Sequence, residues 1–442
     1  MRRVTVRSNS LWKKIVMLNQ NPSRSLVVTL LMTLGLTVPL LTAVTGHAAV
    51  WKTQQTWTPE WEERYSAWVK KNWDTQFFAQ PGTAYSDLKL DCADVVYSMR
   101  IIFAAENGLP FAIKDPSGGK TPITQAMSRF DTIPEQGGKR VRAFLNYIFS
   151  IAGTASIPSD TYPVKPDPSG IRSGTLLLTD KESHHSWTIK DITPEGLPHL
   201  IFSSRPAKTG LLSRVGYPSM EFTFPKGVIE TRHAGFRAFR LPEEIGKPVW
   251  EAKGYSREQY EIPAQQWRET IQARMATRTE DENTKIQRLW KEACTNTQDR
   301  VTAVNEGLAF LATYPEECLD PKSYDDYSTP NRDLRLKNSY QDLESAIRNA
   351  RESKALLSSE TLEMIAEFEA SESEPSSLPP SSESGISSSC SVKISPTLTL
   401  SLAEVRKRSY AGLLSSNPHD PLNIRWGQAK GPSPRAQKCP VY

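Results

Sequence analysis

Cys92 follows Asp91 and precedes Val95, Val96, Met99, Ile102 and Phe103, apolar residues that recur at helical spacing. A thiol is a useful nucleophile only as a thiolate, and the first turn of a helix favours that form because unpaired N–H groups point at it. Asp91 is a natural N-cap for such a helix. Asp91 and Asp94 are anionic, however, and oppose a thiolate unless a cationic histidine offsets them. Four histidines could take that part: His184, His185, His199 and His233. On a strand, His185 shares a face with Trp187 and Ile189, whereas His184 shares its face with Ser186, Thr188 and Lys190, the pattern of a solvated side. His185 is therefore the expected base, with His233 as the spare candidate. The turn at Pro194 to Gly196 returns the chain so that His199 could reach the second ring nitrogen of His185. No third ligand stands at metal spacing beside His184-His185, so no metal is expected.

Asp91-Cys92-Ala93-Asp94-Val95-Val96, followed by a helix that stops at Gly108-Leu109-Pro110, resembles the nucleophile motif of the NlpC/P60 cysteine peptidases of the papain-like superfamily. That family continues with a strand opening on the base histidine and a polar residue about a dozen positions on, where His185 and His199 stand here. The resemblance spans about residues 80 to 205. It implies an α+β papain-like domain with a helix-borne Cys92 packed on an antiparallel sheet. It also implies a Cys92-His185-His199 mechanism without a cofactor, and hydrolysis of peptide bonds in bacterial peptidoglycan stem peptides. Two alternatives stay open. His185-Ser186-Trp187 also resembles the H-x-W strand of the transglutaminase-like branch, and a catalytically idle papain-like domain could bind wall peptide or a partner protein through its Trp-rich helix.

The elements that must position these residues can be read from periodicity and punctuation. Thr58-Pro59, with Glu60, Glu62 and Glu63 in the first turn and Lys70 and Lys71 at the end, starts a helix whose Trp61, Tyr65 and Trp68 form one aromatic face. That face could stack sugars, but its spacing is the ordinary one for burying a helix against the next element. Helices are expected over 92–107 and 139–151, and strands over 175–179, 183–192 and 199–203, with further strands near 220–224 and 235–240. From Ser256 to about Phe368 the pattern is helical, except for Tyr324 to Leu336, which reads as a salt-bridged loop or a binding site.

The first 49 residues carry six bases (Arg2, Arg3, Arg7, Lys13, Lys14, Arg24), no acid, an apolar run over Leu26 to Val44 and the small-residue exit Gly46-His47-Ala48-Ala49. This is the pattern of a signal peptide, with Met17 as an alternative start, and it predicts export. The membrane would be touched only through this segment, were it left uncut. The formal charge of +5 less the +6 of that segment leaves about −1, which excludes the basic excess of a nucleic-acid binder. Five cysteines in an oxidising compartment leave one over; Cys294–Cys318 and Cys390–Cys439 are the expected local pairs, and Cys92 the remainder. Ten serines among residues 371 to 389 mark a linker. The expected organisation is a papain-like domain over 50–250, a helical domain over 251–368, a linker over 369–395 and a C-terminal segment over 396–442, which opens a helix at the capping box Ser401 to Glu404.

Overall fold

The computed structural model describes residues 49–178, 185–209, 213–215, 234–263, 266–370 and 390–442. The expected signal segment, the strand near 220–224, His184, His233 and the Ser-rich stretch lie outside them.

The chain is α+β. Helix α1 (Pro59–Asn72) starts on Thr58, whose hydroxyl accepts from the Trp61 N–H, and ends on Lys70 and Lys71. After β1 (Lys89–Leu90), α2 (Cys92–Glu106) is buried over nearly its whole length. A helix enclosed on every side needs apolar residues all round, and Val95, Val96, Met99, Ile101, Ile102 and Phe103 supply them. The aromatic face of α1 closes on Phe103 of α2, with ring centroids at 5.2 Å from Tyr65 and 5.7 Å from Trp68, so the stripe is a packing face. The short hairpin β2 (Ala112–Ile113) and β3 (Ile123–Thr124) leads to α3 (Lys139–Ile151) and the single turn α4 (Ile157–Asp160).

Strands β4 (Thr161–Pro163), β5 (Leu176–Leu178), β6 (Ser186–Ile192), β7 (Pro198–Phe202), β9 (Ser213–Val215) and β10 (Gly235–Phe239) form one antiparallel sheet in the order β4-β10-β5-β6-β7-β9. Strand β8 (Lys208–Thr209) pairs with β1 instead. The sheet is covered on both faces. Leu176, Leu178, Ile201 and Phe239 face the core built by α1, α2 and α3. Leu177, Trp187, Ile189, Leu200, Phe202 and Phe236 face a second core closed by α5 (Trp267–Met275), where Trp267 stacks on Phe236 at 5.3 Å. The face of Ser186 and Thr188, expected to be solvated, is therefore fully buried. Polar residues there are tolerated because they are hydrogen-bonded: Thr188 Oγ1 donates to the Ile201 carbonyl and accepts from Trp73 Nε1.

The rest is helical: α6 (Glu282–Thr313), α7 (Pro321–Tyr327), α8 (Pro330–Glu352) and α9 (Ser359–Glu369). The stretch read as a loop or site from Tyr324 to Leu336 is the end of α7 and the start of α8, separated by Ser328-Thr329. Its Asp333 is held by Arg300 of α6 at 2.5 Å, and Leu336 is fully buried. Residues Ser391–Ser395 (β11) and Leu398–Ser401 (β12) form a hairpin where the linker was expected to run to 395, followed by α10 (Leu402–Tyr410), α11 (Leu422–Arg425) and α12 (Pro434–Lys438). Ser401 caps α10 through the Glu404 N–H, as its sequence predicts.

Val392, Ile394, Leu402, Val405 and Trp426 of this tail share one core with Ile286, Leu289, Trp290 and Leu343. That burial decides the disulfides. The pairs are Cys294–Cys390 and Cys318–Cys439, closing loops of 96 and 121 residues, and not the local pairs that spacing predicts. No helix among the described residues is long and apolar enough to cross a membrane.

Candidate active site

Three hydroxyl clamps fix the turn that carries Cys92. Asp91 caps α2 by accepting the Ala93 N–H at 2.9 Å and the Asp94 N–H at 3.2 Å, while Asp94 accepts the Asp91 N–H at 2.9 Å, a reciprocal capping box. Ser186 Oγ, on β6, donates to the Cys92 carbonyl at 2.9 Å, and Ser203 Oγ, just past β7, donates to the Leu90 carbonyl at 2.8 Å. The third hydroxyl belongs to Thr154, whose Oγ1 lies 3.0 Å from Cys92 Sγ. Cys92 itself is buried and takes part in neither disulfide, as its place in the sequence predicts. Gly153 and Ala155 beside Thr154 are exposed, and Thr154 itself is half-buried.

Burial, reinforced by the Asp91 carboxylate, pushes the Cys92 thiol up to about 11, and the hydrogen bond from Thr154 only partly opposes it. The expected lowering by the helix terminus is outweighed because desolvation penalises the thiolate more than one turn of N–H groups favours it. Burial and the Asp91 charge likewise hold the Asp94 carboxyl well above the usual carboxylate range. The resting site therefore favours the neutral thiol.

His185 and His199 are the two histidines expected to serve Cys92. The His185 ring packs edge-on against Trp187 at 4.3 Å and Phe202 at 5.4 Å, both residues of the second core, whereas Ser186, which holds Cys92, faces the first. Burial, with Arg335 and Arg332 of α8 adding repulsion, lowers His185 to about 3. His199 Nδ1 lies 2.6 Å from Asp191 Oδ1 of the paired strand, and both side chains are about one-third exposed. His199 shares a face with Ile201 by alternation along β7, and a register shift between Ile189 and Asp191 on β6 brings Asp191 to that same side. His199 stands four residues before Ser203, roughly 13 Å along β7 from the clamp on Leu90. The His185 ring thus packs on the Trp187 and Phe202 face of the sheet, and His199 lies on the Ile201 face.

Reading the sequence singled out Cys92 and its cap but missed Ser186, Ser203 and Thr154. Ser186 looked like a surface residue, and nothing in the spacing links the Gly-Thr-Ala-Ser turn to Cys92. Among the described residues no group of three histidines, cysteines or acids could hold a metal ion. Comparisons with protein-family models, with curated proteins and with solved structures gave no match to this chain.

Proposed function

We propose that this chain is an exported cysteine hydrolase of papain-like, NlpC/P60-like architecture that cleaves amide bonds in peptidoglycan stem peptides, with Cys92 as nucleophile. The observation that carries this reading is the mounting of Cys92. Its thiol opens a capped, buried helix, its carbonyl is bonded to a central strand, and it is kept out of disulfides in a chain whose other cysteines are all paired. A thiol held near 11 calls for a base that removes the proton as attack proceeds, not for a stored thiolate.

That base has to act from the Ser186 side of the sheet. His184 lies outside the described residues; we assign the base to it in place of His185 because it stands two positions before Ser186, the residue that holds Cys92. His199, paired to Asp191, has no part in this version of the mechanism. A second reading, an idle domain of the same architecture that binds wall peptide, draws on the raised thiol pKa and on the placement of His185 and His199.

A stem tripeptide ending in a chloromethyl ketone tests the two readings on the unreduced protein. The hydrolase reading expects covalent labelling at Cys92 faster than by iodoacetamide, because peptide binding holds the electrophile at the thiol. Equal rates with both reagents would count against the hydrolase reading.

A further inference from the structure

Peptide hydrolysis at Cys92 needs two hydrogen-bond donors for the oxygen that becomes negative when sulfur adds to the carbonyl. The backbone N–H of Cys92 can be one. We infer that the Thr154 hydroxyl is the other, an inference that rests on the hydrolase reading of Cys92.

The position of Thr154 is built, not incidental. Its Oγ1 is 3.0 Å from Cys92 Sγ, so an oxygen on the carbon that sulfur attacks comes within hydrogen-bond range of the same hydroxyl. The turn is locked from both ends: the Gly153 N–H donates to Ser156 Oγ at 3.0 Å, and Ser156 Oγ donates to the Gly153 carbonyl at 2.7 Å. Ser156 Oγ also lies 3.2 Å from the hydroxyl of Tyr97, which donates to Asp160 at 2.7 Å. Tyr97 is five residues after Cys92 on the same helix, so thiol and hydroxyl are mounted on one rigid element. Asp160 is fixed in turn by the Lys114 N–H at 2.7 Å. Donors held by such a chain need not reorganise when charge appears, which is the condition for an effective oxyanion hole. Thr154 is also half-buried at the edge of the solvent-facing turn, where a substrate carbonyl would arrive.

The step balances as an ordinary acyl transfer. An imidazole takes the thiol proton, the Sγ–C bond forms and the carbonyl π pair moves onto oxygen, where the Thr154 O–H and the Cys92 N–H receive it. Collapse returns the pair, breaks the C–N bond and expels the amine, which takes the proton from the imidazole. Water then releases the acid by the same route. At rest the hydroxyl can turn to either role with the thiol; only in the addition step must it donate.

The test compares Thr154→Val with Thr154→Ser in stem-peptide hydrolysis. Valine keeps the shape and removes the donor, while serine keeps the donor. Thr154→Val should lose about 10²-fold in kcat with KM nearly unchanged, and Thr154→Ser should recover most of it. Iodoacetamide on the unreduced protein, where Cys92 is outside both disulfides, gives a readout that needs no substrate: alkylation at a fixed pH near 8 should slow several-fold in Thr154→Val and recover in Thr154→Ser. Wild-type turnover that Thr154→Val leaves intact would overturn the role of Thr154 alone. Absence of turnover in the folded wild-type protein would overturn the hydrolase reading, and this role with it.

Discussion

Between residues 49 and 275 the chain is held by two apolar cores on either side of one sheet, and its single cysteine stays out of both disulfides; between 282 and 442 two disulfides bind a tail into a helical core. Both parts bury polar groups with partners. In the sheet-bearing part Arg100 lies over Trp57 at 3.4 Å and bonds Glu62, while in the helical part Arg300 lies over Trp426 at 4.5 Å and bonds Asp333. The cysteines separate them. Where the chain uses sulfur for strength, each cysteine is joined to another over about a hundred residues. The one beside the capped helix terminus is spared.

The largest effect should come from reduction. Each disulfide closes a loop long enough to stabilise by about 4 to 5 kcal/mol in the chain-entropy account. Under reductant, hydrogen exchange should accelerate in α6, α8 and the tail while α2 and β6 stay protected. Equal acceleration in both parts would erase the distinction drawn between them.

A histidine series sharpens the account of the sheet faces. His184→Ala should lower stem-peptide turnover by about 10² to 10⁴-fold, the usual contribution of a general base. His185→Ala should instead lower stability, since it removes a ring wedged between Trp187 and Phe202. His199→Ala should cost no more than about 1 kcal/mol, because its pair with Asp191 is partly exposed. Turnover lost in His185→Ala with folding intact, and kept in His184→Ala, would turn the sheet over.

A smaller effect is expected from pH. Burial raises Glu292 of α6 to about 7, so the folded protein holds a proton that the unfolded chain releases above about pH 4 to 5. The unfolded state then binds fewer protons than the folded one, and stability falls as pH climbs from there through 7. Thermal unfolding of the helical part should come earlier at pH 8 than at pH 5.5, and Glu292→Gln should shrink that difference. A difference that Glu292→Gln leaves unchanged would assign it to another group.

Much of the sheet-bearing part was legible. Asp91 as cap, the helix from Cys92, the helix from Lys139 and strands within 186–192 and 198–202 all follow from local pattern, and the structure has them. What pattern could not give was the direction of a face. A period of two separates Ser186 from Trp187, but with apolar layers on both sides either could point to the thiol. Ser186 is there because a small side chain lets α2 approach β6 closely enough to be hydrogen-bonded. The disulfides were illegible for a related reason. Val392 and Ile394 carry Cys390 to α6 through burial, which no spacing between cysteines records. Thr154 reaches Cys92 from 62 residues away, across a turn whose composition would suit any loop.

The central claim is that Cys92 breaks amide bonds in cell-wall peptides. Purified peptidoglycan digested with the protein and with its Cys92→Ala variant, and read by mass, tests it most directly. The account predicts stem-peptide fragments bearing a new amine and a new carboxyl from the wild-type protein, and none from Cys92→Ala. Fragments released equally by both, or by neither while both are folded, would contradict it.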